Sequence, residues 1–247
     1  VTTSWTYSTN FFPEILRIIV LSFFQVKVES GAGSALEGIP EIRRKKIGFS
    51  PLVMFLHNPA SQVSPGGLAA TADVSGVVKV WRLGPSPYPT TAATFISASP
   101  VSCLAWVDDR RLLYGTHLGQ VRLSDVEEKC LLPETSYASL AGYPISTVVT
   151  SPTGSTFFAA TANAALIINT KTFIVERELD LIGVTCALFN HNGSLLIFSN
   201  NKGSVGILDL NRGEMLETWS PHEKGVVRLM LCADETSVWS LGRDGHL

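Results

Sequence analysis

His222, Ser240 and Asp244 are the residue types of a hydrolase triad. In that chemistry a serine attacks a carbonyl, a histidine takes its proton and a carboxylate orients the ring. Ser240 sits in Val238-Trp239-Ser240-Leu241-Gly242, which is not a strand-to-helix nucleophile elbow, and no oxyanion element accompanies it. The same three types also make a buried hydrogen-bonded set that holds neighbouring strands in register. That second reading is the expectation here: no catalytic residue, no metal site, no cofactor-binding residue and no cofactor.

The remaining chemistry-bearing residues are dispersed. His57, His117, His191 and His246 stand far apart in the chain, whereas a metal site needs ligands brought together with defined geometry. Cys103, Cys130, Cys186 and Cys232 include no C-x-x-C pair. Three of them fall at equivalent inner-strand positions of the repeats described below, as packing thiols do, and imply a reducing, cytosolic setting. No phosphate-cradling glycine pattern is present. Arg43-Arg44-Lys45-Lys46 is the one basic cluster; a solvated linker is the preferred reading, with contact to anionic lipid headgroups as the other. A net charge of −2 over 247 residues gives no electrostatic case for nucleic acid.

The elements that must position these residues repeat. Apolar first strands begin at Leu52, Val101, Ile145, Val184 and Val226, and the last four starts are 44, 39 and 42 residues apart. Ser75-Gly76, Leu118-Gly119, Lys202-Gly203 and Asp244-Gly245 mark turns between second and third strands in the same period. Glycine there supplies the positive φ of a tight hairpin. Third strands follow, and Val77-Val78-Lys79-Val80-Trp81 is the best formed. A unit of four strands recurring every 40–45 residues is the signature of a WD-type β-propeller blade. The charged share of 16% suits strands packed on both faces.

The expected fold is therefore all-β: four-stranded antiparallel blades, about five of them, in an incomplete ring. Residues 50–247 carry the blades, at approximately 50–96, 97–140, 141–180, 181–220 and a truncated 221–247. Residues 1–49 form a non-repeat N-terminal segment or linker, with sequence foreign to the fold as one reading of it. Phe11–Phe24 is too short and too interrupted by Pro13, Glu14 and Arg17 to span a bilayer. The chain reads as a piece of a longer protein, and on its own it is expected to be unstable or to aggregate, because an open ring leaves apolar blade faces in water. Trp81, His222, Ser240 and Asp244 are assigned to the WD hydrogen-bond network. Thr116, His117, Asn163, Asn201, Lys202, Arg243 and Asp244 should project from one face as a protein-binding rim, since loops on a rigid scaffold carry function.

Several stretches go beyond a generic repeat. Val184-Thr185-Cys186-Ala187-Leu188-Phe189-Asn190-His191-Asn192-Gly193, Asn169-Thr170-Lys171-Thr172, Gly119-Gln120-Val121-Arg122-Leu123 and Val238-Trp239-Ser240-Leu241-Gly242-Arg243-Asp244-Gly245 resemble the C-terminal propeller of the WD repeat-containing protein 91 family, in one order along residues 68 to 247. Ser75 and Lys202 stand where the family tends to have the turn aspartate, and Ile168 and Leu208 replace its tryptophan position. The resemblance implies a non-catalytic scaffold in the cytoplasm, peripheral on early and late endosome membranes through its partners. It implies a late-endosomal Rab effector that restrains the Beclin-containing class III phosphatidylinositol 3-kinase complex, works with a BEACH-domain WD-repeat protein and promotes early-to-late endosome conversion. The alternative is an adaptor of another complex, such as a ubiquitin-ligase substrate receptor or an RNA-processing subunit.

Overall fold

The computed structural model describes residues 60–64, 66–82, 90–132, 135–232 and 234–247. The segments 11–24, 43–46 and 52–55, together with His57, lie outside the described residues. What is described is built from strands, with no helix.

Five antiparallel sheets follow one another along the chain. The first runs β1 (Ala60–Val63), β2 (Leu68–Ala72), β3 (Val77–Arg82) and β4 (Thr90–Ile96) in sequential order. The second holds β5 (Val101–Trp106), β6 (Arg111–Thr116) and β7 (Gln120–Asp125), and its outer strand is split into β8 (Cys130–Leu131) and β9 (Thr135–Ser136), both paired with β7. The third is β10 (Thr147–Thr150), β11 (Thr156–Ala160), β12 (Ala165–Asn169) and β13 (Val175–Leu179). The fourth is β14 (Val184–Phe189), β15 (Leu195–Asn200), β16 (Val205–Asp209) and β17 (Glu214–Trp219). β18 (Val226–Leu231) and β19 (Val238–Gly242) make a two-stranded fifth. The first strands lie side by side, β1 against β5, β5 against β10, β10 against β14 and β14 against β18. This is the β-propeller expected from the repeat, and among the described residues no closed ring is formed.

The apolar runs in the second and third strands have a simple cause. Successive side chains in a strand point to opposite faces, and both faces of each inner sheet are buried. Leu112 and Tyr114 of β6 pack toward the first sheet with Val78, Val80 and Phe95, while Leu113 faces the third with Val121 and Leu123. Phe157 and Phe158 of β11 part in the same way, Phe157 toward the second sheet and Phe158 toward the fourth. Neither exposes any surface, so each contributes about 1.5–3 kcal/mol of burial free energy. The outer strands β13 and β17 are largely exposed, and Glu176, Arg177, Glu178, Glu214 and Glu217 keep these free edges polar.

Two details depart from the sequence reading. The first strand of the first sheet is Ala60–Val63, where Leu52–Phe55 was expected. Ser64 N–H donates to the Leu68 carbonyl and Gly67 N–H to the Ser64 carbonyl, so the turn is tight and its strand must abut it. Gly245–Leu247, expected to open a third strand in the last sheet, form no strand; the Gly242 N–H donates to the His246 carbonyl across that turn.

Three of the five first strands share a bulge. The pairing of β5, β14 and β18 shifts after Val101, Val184 and Val226, which leaves Ser102, Thr185 and Val227 out of the ladder. A bulge re-aims side chains and bends the strand. Here it leaves Ser102 Oγ free to donate to the Gly115 carbonyl at 3.2 Å and Thr185 Oγ1 to meet Ser199 Oγ at 3.2 Å.

Candidate functional site

The hairpin turns between second and third strands are built by their first residue. Asp73 Oδ1 accepts from the amides of Ser75 and Val77. Thr116 Oγ1 accepts from those of Leu118 and Gln120, Thr161 Oγ1 from those of Asn163 and Ala164, and Asn200 Oδ1 from those of Lys202 and Ser204. Short polar side chains that cap their own turn make these residue types the natural choice there. Gly76, Gly119, Gly203 and Gly245 close their turns at φ between 79° and 92°. The third sheet has no glycine at this place because its turn is one residue shorter: Ala160 pairs directly with Ala165.

In the last sheet the capping position is Gly242, and a different set of groups fills the space. A Cβ on Gly242 would lie 2.4 Å from His222 Nδ1 and 2.3 Å from Asp244 Oδ1. Its absence lets His222 enter. His222 Nδ1 meets the Asp244 carboxylate at 3.1 and 3.2 Å, and Nε2 lies 2.8 Å from Ser240 Oγ and 3.2 Å from the Ser240 carbonyl. The His222 and Asp244 side chains are 2% and 6% exposed. Burial pushes the Asp244 carboxyl up, but the amides of His246 and Glu223 and the neighbouring His222 outweigh it and hold the group at about 2.

Trp81 joins the same kind of bond in another sheet. Its Nε1–H donates to Thr71 Oγ1 at 3.0 Å, and Lys79 Nζ lies 5.8 Å over its ring. Counted back from the turn, Thr71 occupies in β2 the place that Ser240 occupies in β19. The four assigned network residues are thus in two groups, Trp81 with Thr71 in the first sheet and His222 with Ser240 and Asp244 in the fifth. In the three middle sheets the tryptophan position holds Ser124, Ile168 and Leu208, and the hydroxyl position holds Tyr114, Ala159 and Phe198. All of these bonds join strands and turns of one sheet, the arrangement that fixes strand register.

Of the rim residues, His117, Asn163, Asn201, Lys202 and Arg243 are exposed. Thr116 and Asp244 are not: Thr116 is wholly buried and caps its own turn, and the Asp244 side chain faces His222. They position the rim and do not project from it. The rim turns are tied to the segments that lead into the first strands. His117 N–H donates to the Pro100 carbonyl, Asn201 N–H to Gly183 and Arg243 N–H to Gly225, each at 2.8–2.9 Å. Gly142 N–H to Leu118 and Gly183 N–H to Ala162 link turns to the next segment along.

Sequence reasoning missed the apolar part of this face. Leu118, Tyr143 and Ile182 are 55%, 47% and 70% exposed and stand in these same loops. The signal was present in Leu118-Gly119 and Ile182-Gly183, where a large aliphatic residue precedes a turn glycine and lies outside any strand.

The opposite end of the sheets is different in character. There Arg110 pairs with Asp125 and Glu128 at 2.6 Å and with Glu127 at 3.3 Å, Arg111 with Asp108 at 2.7 Å, and Arg212 with Asp209 at 3.9 Å. His191 Nδ1 lies 2.7 Å from Glu235, joining the fourth sheet to the fifth. The four cysteines are free thiols. Cys103 and Cys186 sit at the same place in β5 and β14, Cys232 follows β18, and burial pushes the Cys103 thiol up to about 12. Among the described residues no group of three or more His, Cys, Asp or Glu is placed to hold a metal, and no helix is long and apolar enough to cross a membrane.

Comparison with known proteins agrees with this architecture. The chain is 32% identical over 205 residues to WD repeat-containing protein 91 of Danio rerio and 32% over 209 residues to that of Gallus gallus, in each case 73% of this chain. It is 25% identical over 195 residues to the homolog from Dictyostelium discoideum. The chain spans about 28% of the length of the two vertebrate relatives and 25% of the Dictyostelium one. Among solved structures, the β-propeller domain of Myceliophteria thermophila Cps50 (Swd1) superposes with a TM-score of 0.66 at 18% identity, covering 76% of this chain and 62% of that one. No protein-family model matches the chain.

Proposed function

Along its repeat region this chain belongs to the WD repeat-containing protein 91 family, and we propose that it acts as that family's propeller module on endosomes. A WD-repeat propeller is an interaction scaffold. The finer reading is a late-endosomal Rab effector that restrains the Beclin-containing class III phosphatidylinositol 3-kinase complex, together with a BEACH-domain WD-repeat protein. Its place is the cytoplasm, peripheral on early and late endosome membranes. Restraint of the kinase lowers phosphatidylinositol 3-phosphate and lets early endosomes convert to late ones.

The observation that carries this reading is the 32% identity over 205 residues with the Danio rerio protein. The geometry supports the binding role. Rim loops tied by backbone hydrogen bonds offer side chains at low ordering cost, because they are already fixed before a partner arrives. His222, Ser240 and Asp244 lock one sheet, and we read the protein as non-catalytic.

Affinity purification of the tagged full-length parent protein from its own cells, followed by mass spectrometry, tests the assignment. Recovery of a late-endosomal Rab, Beclin or the BEACH-domain protein is the expected result. Recovery of ubiquitin-ligase or RNA-processing subunits in their place would move the propeller to another pathway.

A further inference from the structure

Both ends of the sheets carry exposed cations that form no ion pair among the described residues: Lys129 and Lys171 at the end bearing the turns after first and third strands, and a group of three at the rim. At the end bearing the turns after first and third strands, Arg110, Arg111 and Arg212 are all neutralised by carboxylates. At the rim end Lys202, Lys224 and Arg243 are exposed, and none forms an ion pair among the described residues. The carboxylates there are Asp73, which accepts from Ser75 and Val77, Asp244, which faces His222, and the exposed Asp180 and Glu223.

The three cations stand on three touching loops. A Cβ on Gly203, next to Lys202, would lie 2.8 Å from the Lys224 carbonyl, and one on Gly225 would lie 2.9 Å from the Asn201 carbonyl. Arg243 N–H donates to the Gly225 carbonyl at 2.9 Å. Ile182 adjoins this group, because Asn201 N–H donates to the carbonyl of its neighbour Gly183. Leu118 and Tyr143 continue the face across the second and third sheets, joined through the bond from Gly142 N–H to the Leu118 carbonyl. Large aliphatic side chains held in water on rigid turns cost solvation free energy unless a partner covers them.

We propose that this rim docks an acidic segment of a partner protein, with Asp or Glu meeting Lys202, Lys224 and Arg243 and interleaved apolar residues covering Ile182, Leu118 and Tyr143. The proposal rests on the scaffold reading above and names the chemistry of the partner. A peptide answers the pattern better than an anionic membrane does. Each basic residue adds about 1 kcal/mol at a charged bilayer, and Asp180 and Glu223 on the same face offset much of that. A peptide places its carboxylates one by one and leaves those two positions unopposed.

The test titrates the purified full-length parent protein into three short fluorescein-labelled peptides and follows anisotropy: one alternating leucine with glutamate, one leucine with lysine, and one serine with glutamate. Vesicles of phosphatidylserine and phosphatidylcholine form a fourth arm. The leucine–glutamate peptide is expected to bind most tightly, and K202E/K224E/R243E to weaken it about tenfold or more, with a flatter salt dependence. I182S/L118S should weaken it with the salt dependence unchanged. These exposed substitutions leave the cores untouched, and a thermal melt of each variant checks that. Equal binding of the lysine peptide, indifference to charge reversal, or binding to the vesicles alone overturns the proposal. Affinity purification with the reversed variant separates the two readings. If it recovers the same partners as wild type, the acidic docking surface is overturned and the scaffold stands. If wild type recovers none of the expected partners, the endosomal reading falls, and the peptide titration still decides this one.

Discussion

Gly242 and His222 occupy adjoining space that only a residue without a Cβ allows: the missing atom would lie 2.4 Å from His222 Nδ1 and 2.6 Å from Cγ of the same ring. In four other turns this position holds Asp73, Thr116, Thr161 or Asn200, each capping its own hairpin. In the last sheet the cap is given up, and the His222–Asp244–Ser240 bonds take its place.

Gly242→Ala therefore drives a methyl into the ring and the carboxylate together. Overpacking of this kind costs about 1–3 kcal/mol. Urea unfolding should show a lower midpoint by that amount at unchanged slope. His222→Ala combined with Gly242→Ala should lose much less than the sum of the two single changes, because the ring that clashes is gone. Additive losses would mean that the two residues do not compete for one space.

Asp244 makes the same arrangement depend on pH. Its carboxyl titrates at about 2 in the fold against an ordinary 3.8, so the folded pKa lies below the unfolded one. The carboxylate then contributes stability in full above the unfolded value, and that contribution is lost as pH falls from about 3.8 through about 2. Asp244→Asn should lower the urea midpoint at neutral pH and lie closer to wild type at the acid end of that window. Parallel curves for the two proteins over this range would exclude the linkage.

How much of this was legible depends on the range of the interaction. The hairpin glycines were readable because a positive φ of about 80° at Gly76, Gly119 and Gly245 leaves few other residue types possible. The apolar second and third strands were readable for the same local reason, since Phe157 and Phe158 must each find a buried face. What a strand pattern does not carry is the depth of a polar turn residue. Thr116 and Asp244 have rim-like types at rim positions, yet both are turned inward, Thr116 by amides of its own turn and Asp244 by His222 and the Glu223 amide some twenty residues away. Contacts between turns far apart in the chain were equally hidden, as with the Gly66 N–H on Asp109 Oδ1 and His191 on Glu235. The split of the tryptophan and histidine halves between two sheets was visible at the level of residue type. Its partner Thr71 was not, because a lone threonine in a strand has no distinguishing signal.

Gly119 and Gly142 have nearly the same backbone conformation, at φ 80° and 81°, and very different surroundings. A Cβ on Gly119 would lie 2.0 Å from the Leu140 carbonyl oxygen, whereas one on Gly142 meets nothing within 4 Å. Gly142→Ala should cost only the left-handed backbone penalty, about 1–2 kcal/mol. Gly119→Ala adds a collision with main chain that cannot swing aside, and its loss should be at least about twice as large. Thermal melts of the two variants make the comparison, and equal losses would show that the rim turn yields freely to the segment packed over it.

Trp81 and Thr71 allow the hydrogen bond to be separated from the packing around it. Trp81→Phe removes the indole N–H but keeps an aromatic face beneath Lys79, whose Nζ lies 5.8 Å from the ring. Thr71→Val removes the acceptor and keeps the branched shape that suits a strand. Each single change leaves one polar partner without its mate, and the double change leaves neither. If the 3.0 Å bond stabilises the sheet, the double variant should be more stable than the sum of the single losses predicts, by about 0.5–1.5 kcal/mol. A double-mutant cycle in urea at two salt concentrations reads that coupling directly. Coupling that vanishes with salt would assign the effect to the lysine and not to the N–H. Strict additivity at both concentrations would reduce Trp81 to an apolar side chain, equivalent in role to Ile168 and Leu208 in the sheets where the tryptophan is absent.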